Sequence, residues 1–338
     1  MTRLSWKTAA LALGALAVCI PARNVEAQAL PQVANALDQA EQVQRVRELQ
    51  PAQSTQDDPS LYPGEEEDTG RQLLLQTAPP KWNWINVSLD SQYLYTSNAY
   101  LTTTGKKGTG LLVSTIQAEV DAPPIGVPYG QLFLQAGYQY QFFNYGIGGP
   151  GNRSALDFDV ATAYVEGQYQ LPDDWTIFGN LSYNRLLENG SGFDEFYKEL
   201  VPSLRFEKTF QIRKNLEASA EYSGDYRFSD EVPFPNQSRG ANNRTDQALD
   251  FVITWQFAPK FDLRPFYRFQ YSYYPDYIAA QSRNDYLQTM GLSADYFINS
   301  WSSIRVFLTY EARNSDANSV PDYRKLDVGG GLSAAFKF

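Results

Sequence analysis

Glu217 and Glu221 stand four residues apart in a stretch that alternates apolar and polar side chains, which sets both carboxylates on one face of a β-strand. Two such groups can divide general-acid and general-base duties when their surroundings push their pKa values apart. In a chain with 38 acidic residues, however, such pairs arise by chance. The chain contains no histidine, so the side chain that most often serves as a near-neutral base and metal ligand is missing. The single cysteine, Cys19, lies inside an apolar N-terminal run. No phosphate-binding loop, dinucleotide fingerprint or nucleophile elbow occurs. The residues point away from an enzyme, and neither a cofactor nor a metal is expected.

Many more charges share the polar face of such alternating stretches: Asp90, Glu119, Glu166, Arg205, Glu207, Asp225, Arg227, Asp250, Asp262, Arg264, Arg268, Asp295, Arg305, Glu311, Lys325 and Asp327. Phe133, Phe143, Tyr164, Phe178, Phe266 and Tyr274 lie on the same face. A face of this kind needs strands to present it and an enclosure to use it. The segment from Leu326 to Phe338 shows the strand type: Leu326, Val328, Leu332, Ala334, Phe336 and Phe338 fall on one side, Asp327, Ser333 and Lys337 on the other. That is the pattern of a strand between lipid and a wet lumen. Leu332, Ala334, Phe336 and Phe338 are read as the C-terminal insertion signal.

From Trp82 onward, twelve strand-like segments are predicted, at 84–96, 111–121, 130–144, 156–171, 175–187, 197–212, 216–228, 247–258, 261–274, 285–298, 301–313 and 323–338. Short turns alternate with long loops near 97–110, 145–155, 188–196, 229–246, 275–284 and 314–322, as short periplasmic and long external connections do in bacterial barrels. Residues 122–128 depart from this pattern, a long connection where a short turn belongs. Lys106, Lys107, Arg153, Arg239 and Arg244 fall in the long loops, solvated or held by anionic lipid headgroups. Trp82, Trp84, Trp175, Trp255 and Trp301 fall at the short-turn ends, and Tyr95, Tyr140, Phe142, Tyr226, Phe228, Tyr271 and Tyr273 towards the other, two girdles that a bilayer selects. The expected fold is an all-β, antiparallel, up-and-down transmembrane barrel of about twelve strands over residues 81–338.

The N-terminal part is different. Arg3 and Lys7 precede an apolar run from Thr8 to Ile20 and a small-residue site ending at Ala27, which reads as a signal peptide over residues 1–27. A lipoprotein signal acylated on Cys19 is the alternative, disfavoured by Val18. Residues 28–80, with the acidic run Glu65-Glu66-Glu67-Asp68, read as a mostly unfolded periplasmic leader. Within it, Leu30, Val33, Leu37, Ala40, Val43, Val46 and Leu49 keep helical spacing. A short marginal helix, a coiled coil, a partner-docking helix and a barrel plug all fit that spacing. The net charge of −10 argues against a nucleic-acid partner.

The run Arg283-Asn284-Asp285-Tyr286, the strand from Gly291 to Asn299, the stretch from Tyr310 to Asp316 and the closing segment from Tyr323 to Phe338 together resemble a family of outer-membrane β-barrel porins. Tyr95-Thr96-Ser97-Asn98 is a weaker echo. Some members are associated with exopolysaccharide export. The resemblance implies architecture and an outer-membrane address; it carries over no catalytic or ligand residue. The expected partners are outer-membrane lipids, the barrel-insertion machinery, and small hydrophilic solutes or a polysaccharide. Arg205, Glu207, Glu221, Asp225, Arg227, Arg264, Arg268, Asp295, Arg305 and Glu311 are the lumen-lining candidates. They either bias the solutes that pass or neutralise one another across strands. The four arginines Arg205, Arg264, Arg268 and Arg305 suit carboxylate or phosphate groups, although acids are in excess. The expected function is a porin-like channel, with a non-conducting structural, adhesive or assembly barrel as the alternative.

Overall fold

The computed structural model describes residues 83–338 apart from 148–155, 189–194, 231–239, 279–280 and 319, together with Ala36, Gln39, Ala40 and Val43 of the N-terminal segment. The expected signal peptide and the rest of the leader lie outside the described residues, as do Trp82, Arg153 and Arg239.

The chain folds into antiparallel strands β1 (Ile85–Thr96), β2 (Thr109–Asp121), β3 (Ile125–Val127), β4 (Gly130–Tyr145), β5 (Phe158–Leu171), β6 (Trp175–Glu188), β7 (Glu195–Arg213), β8 (Leu216–Asp230), β9 (Arg244–Ala258), β10 (Phe261–Ile278), β11 (Gln281–Asn299), β12 (Ser302–Ser315) and β13 (Tyr323–Lys337). β1 pairs with β2 on one side and β13 on the other, and β2 pairs directly with β4. The twelve long strands therefore close into a barrel, which removes the unpaired edges a bilayer would not tolerate. At the seam Ile85 and Phe338 exchange both backbone hydrogen bonds, at 2.8 and 3.2 Å.

Alternation decides the two faces. Leu89, Ile116, Val165, Leu181, Phe251, Leu292 and Val306 point outward and are 41–57% exposed, whereas Asp90, Thr115, Asp295 and Arg305 point inward and are at most 6% exposed. An apolar exterior around a polar interior inverts the soluble arrangement, and lipid is the solvent that satisfies it. Trp84, Trp175, Trp255 and Trp301 are exposed at the short-turn rim, and Tyr95, Phe228 and Tyr273 near the other end. The protein is an integral outer-membrane β-barrel.

Three expectations are corrected. Residues 275–284 are no long loop: β10 and β11 continue past the predicted strand ends, with a register shift between Tyr274 and Ile278. β7 and β11 each contain 19 residues, about 60 Å of strand at roughly 3.3 Å per residue, which at the ~40° tilt of barrel strands still rises well beyond the ~30 Å apolar layer. The long-loop ends of these strands thus stand clear of the membrane, where no lipid enforces alternation. Residues 122–128 hold β3, which pairs with the start of β4 beyond the Pro123-Pro124 break, closed by a tight Pro128-Tyr129 turn with Tyr129 at φ 67°. Arg244 is no loop residue: it opens β9 and is 5% exposed.

Candidate functional site: the barrel interior

The interior divides along the barrel axis. Towards the short-turn rim lies a polar cavity of about 1010 Å³, reaching from Asn86, Glu217 and Lys337 up to Gln141, Thr289 and Arg227. Towards the long loops the space is filled by side chains.

Every candidate charge of the sequence reading projects into this interior, because each shares the inward parity of its strand. Around the cavity, Arg205 on β7 reaches over β6 to Glu166 at 3.1 Å, stands 3.9 Å from Glu221, and lies 4.3 Å above the Phe178 ring. Arg268 pairs with Asp250 at 2.6 Å across β10 and β9. Arg264 is 3.2 Å from Asp262 and 3.5 Å from Asp295. Glu207 and Asp225 line the same space, and carboxylates outnumber cations along the lining. The arginines suited to an anionic solute are thus already neutralised by carboxylates, and the surplus charge is negative.

Glycines let two side chains bridge over an intervening strand. Arg305, Gly331 and Gln92 stand in one row across β12, β13 and β1. A Cβ on Gly331 would come within 2.9 Å of the Gln92 Cβ. Without one, Arg305 crosses to Gln92 at 3.2 Å and Asp90 at 3.5 Å. Tyr164, Gly137 and Glu119 form an equivalent row across β5, β4 and β2. There the Tyr164 hydroxyl passes over Gly137 and donates to Glu119.

Near the long loops, charges form a chain that the sequence reading only partly captured. Arg227 binds Glu199 at 3.0 Å and Asp246 at 2.9 Å. Asp246 also accepts from Arg244 at 2.7 Å, and Arg244 donates to the Tyr274 hydroxyl at 3.1 Å. Arg283 lies 3.7 Å over the Tyr274 ring and donates to Asp285 at 2.7 Å. On β12 and β13, Glu311 takes the Lys325 ammonium at 3.3 Å and the Tyr323 hydroxyl at 2.8 Å. Glu199, Arg244, Asp246, Arg283, Asp285 and Arg313 were not read as interior residues, Arg244, Asp246 and Arg283 because they lay in stretches read as loop. Their i,i+2 opposite-charge spacing, as in Arg244-x-Asp246 and Arg283-x-Asp285, was the available signal.

Facing this charged arc is an apolar strip that sequence reasoning also missed, apart from Phe143. Leu94, Leu111, Val113, Phe143, Phe158, Leu186 and Tyr197 project inward from β1, β2 and β4–β7 and are buried. Phe143 stacks on Phe158 at 4.4 Å. Of the remaining aromatic candidates, Phe178 and Phe266 line the cavity and Phe133 is half-buried. Of the insertion-signal residues, Leu332, Phe336 and Phe338 are exposed on the outside, and Ala334 is half-buried.

No family model and no curated protein matches the chain. Among solved structures, an outer membrane channel from Pseudomonas putida F1 is similar over 77% of this chain and 100% of its own, at 9% identity and a TM-score of 0.46. The transport unit of the autotransporter AIDA-I from Escherichia coli is similar over 78% of this chain and 94% of its own, at 11% identity and a TM-score of 0.45. The NanC porin is similar over 73% and 98%, at 11% identity and a TM-score of 0.43.

Proposed function

We propose that the protein is a porin-like channel for small hydrophilic solutes, with cations favoured over anions. The observation that carries this reading is the polar cavity of about 1010 Å³ inside the membrane-spanning wall, whose lining holds more carboxylates than cations. Fixed charges and amides there would replace part of a solute's hydration shell, and an acidic lining lowers the barrier for positive charge. The reading involves no bond-making or bond-breaking.

The test is planar-bilayer conductance under a salt gradient. Discrete steps with a reversal potential on the cation side are expected, and the triple change Glu207→Gln, Glu217→Gln, Glu221→Gln should move that potential towards anions. Anion selectivity in the parent protein would overturn the charge argument. A second reading, a non-conducting barrel with a structural, adhesive or assembly role, including service to exopolysaccharide export, draws support from the packed long-loop half of the interior, where Lys325, Glu311 and Asp327 are at most 2% exposed. Complete absence of conductance in every variant would favour it.

A further inference from the structure

Ala36, Gln39, Ala40 and Val43 are helical, and their i, i+3, i+4, i+7 spacing puts them on one face. All four are buried, Gln39 to 2% and Val43 to 3% exposure. Ala36, Ala40 and Val43 belong to one apolar cluster with Leu94, Leu111, Val113, Phe143, Phe158 and Leu186. Those partners carry inward parity on β1, β2, β4, β5 and β6, so the helix face lies inside the barrel. Ala40 also lines the polar cavity.

A strip of Leu, Val and Phe has no use on a wetted channel wall, where each square ångström of apolar surface left in water costs about 25 cal/mol. It is explained by an apolar cover, and the helix face supplies one. Ala36 and Ala40, one turn apart, bring the helix backbone close to the wall. The charged arc on β7–β13 closes the other side of the same level.

We infer that the helical face of Ala36, Gln39, Ala40 and Val43 is an internal plug, seated on the apolar strip of the lumen and sealing the long-loop half of the conduit. The inference rests on the channel reading above. Conductance then requires the helix to leave its seat, and a population shift between seated and released states sets the open fraction.

The test uses the full mature chain. Ala40→Asp with Val43→Asp places two carboxylates against the apolar strip and should raise the frequency of open events about tenfold or more, since burying an unpaired charge disfavours the seated state strongly. Ile116→Val, on the lipid-facing side of β2, should leave the parent behaviour unchanged. Unaltered heat-modifiable mobility in detergent gels checks that each variant has folded. Independently, Ala40→Cys should resist a membrane-impermeant maleimide in intact outer membranes and become labelled when combined with Val43→Asp, with the modified peptide identified by mass. Parent and Asp variants conducting equally would overturn the plug and leave the channel standing. Ready labelling of Ala40→Cys in the parent background would overturn the seating. Silence in parent and Asp variants alike, with the released helix labelled, would overturn the channel reading and the plug together.

Discussion

At the scale of single residues, the interior is organised by what is absent as much as by what is present. Gly331 leaves the gap through which Arg305 reaches β1, and its Cβ would also stand 3.0 Å from the Ser91 carbonyl oxygen. Gly331→Val should therefore overpack the seam and part the Arg305–Asp90 pair, lowering stability by about 1–3 kcal/mol. The measurement is the temperature at which the heat-modifiable gel shift occurs, which should fall; an unchanged temperature would show that the row has slack. That Arg305 faces inward was legible from parity alone. That it meets Asp90 was not, because the two are joined only through a register spanning three strands. Tyr164 and Glu119 pose the same problem, read in the sequence as a candidate aromatic and a candidate carboxylate with nothing to pair them.

Individual strands were legible where lipid acts on them. β4, β8 and β12 alternate cleanly because one face meets hydrocarbon and the other a polar interior. Where β10 and β11 rise out of the membrane that pressure ends, and their sequence reads as a loop although the backbone goes on pairing. Arg283 was misplaced for that reason, and Arg244 because it opens β9 within the stretch 229–246 that reads as a loop. The last strand carries a clear expectation of its own. Phe338 contributes an exposed ring and both final bonds of the seam with Ile85, so deleting Phe338 should reduce the amount of barrel assembled in the outer membrane several-fold. Quantitative blotting of outer-membrane fractions checks this, and normal assembly would mean that the remaining alternation suffices.

The whole molecule is a closed ladder, so its stability is cooperative around the ring. Refolded in detergent, the protein should give a β-type circular dichroism spectrum and migrate as a compact species until boiled; a predominantly helical spectrum would contradict the architecture. Closure also creates the two-part interior, a charged cavity on one side and packed apolar and ionic material on the other. Within the packed part, joining β1 to β13 sets the start of the apolar strip on β1 beside the end of the charged arc on β13.

The sequence by itself determined the faces of the strands, the approximate strand number, the membrane address and the lack of histidine-based chemistry. These follow from local properties: a period of two along the chain, the positions of aromatic residues, and composition. Only the tertiary structure decided which charges neutralise which, that the interior is half filled, and that Ala36, Ala40 and Val43 lie against Leu111 and Phe143. Those outcomes depend on pairs far apart in sequence, whose meeting is fixed by barrel closure and register. Alternation tells a side chain which way to point but not what it will find there.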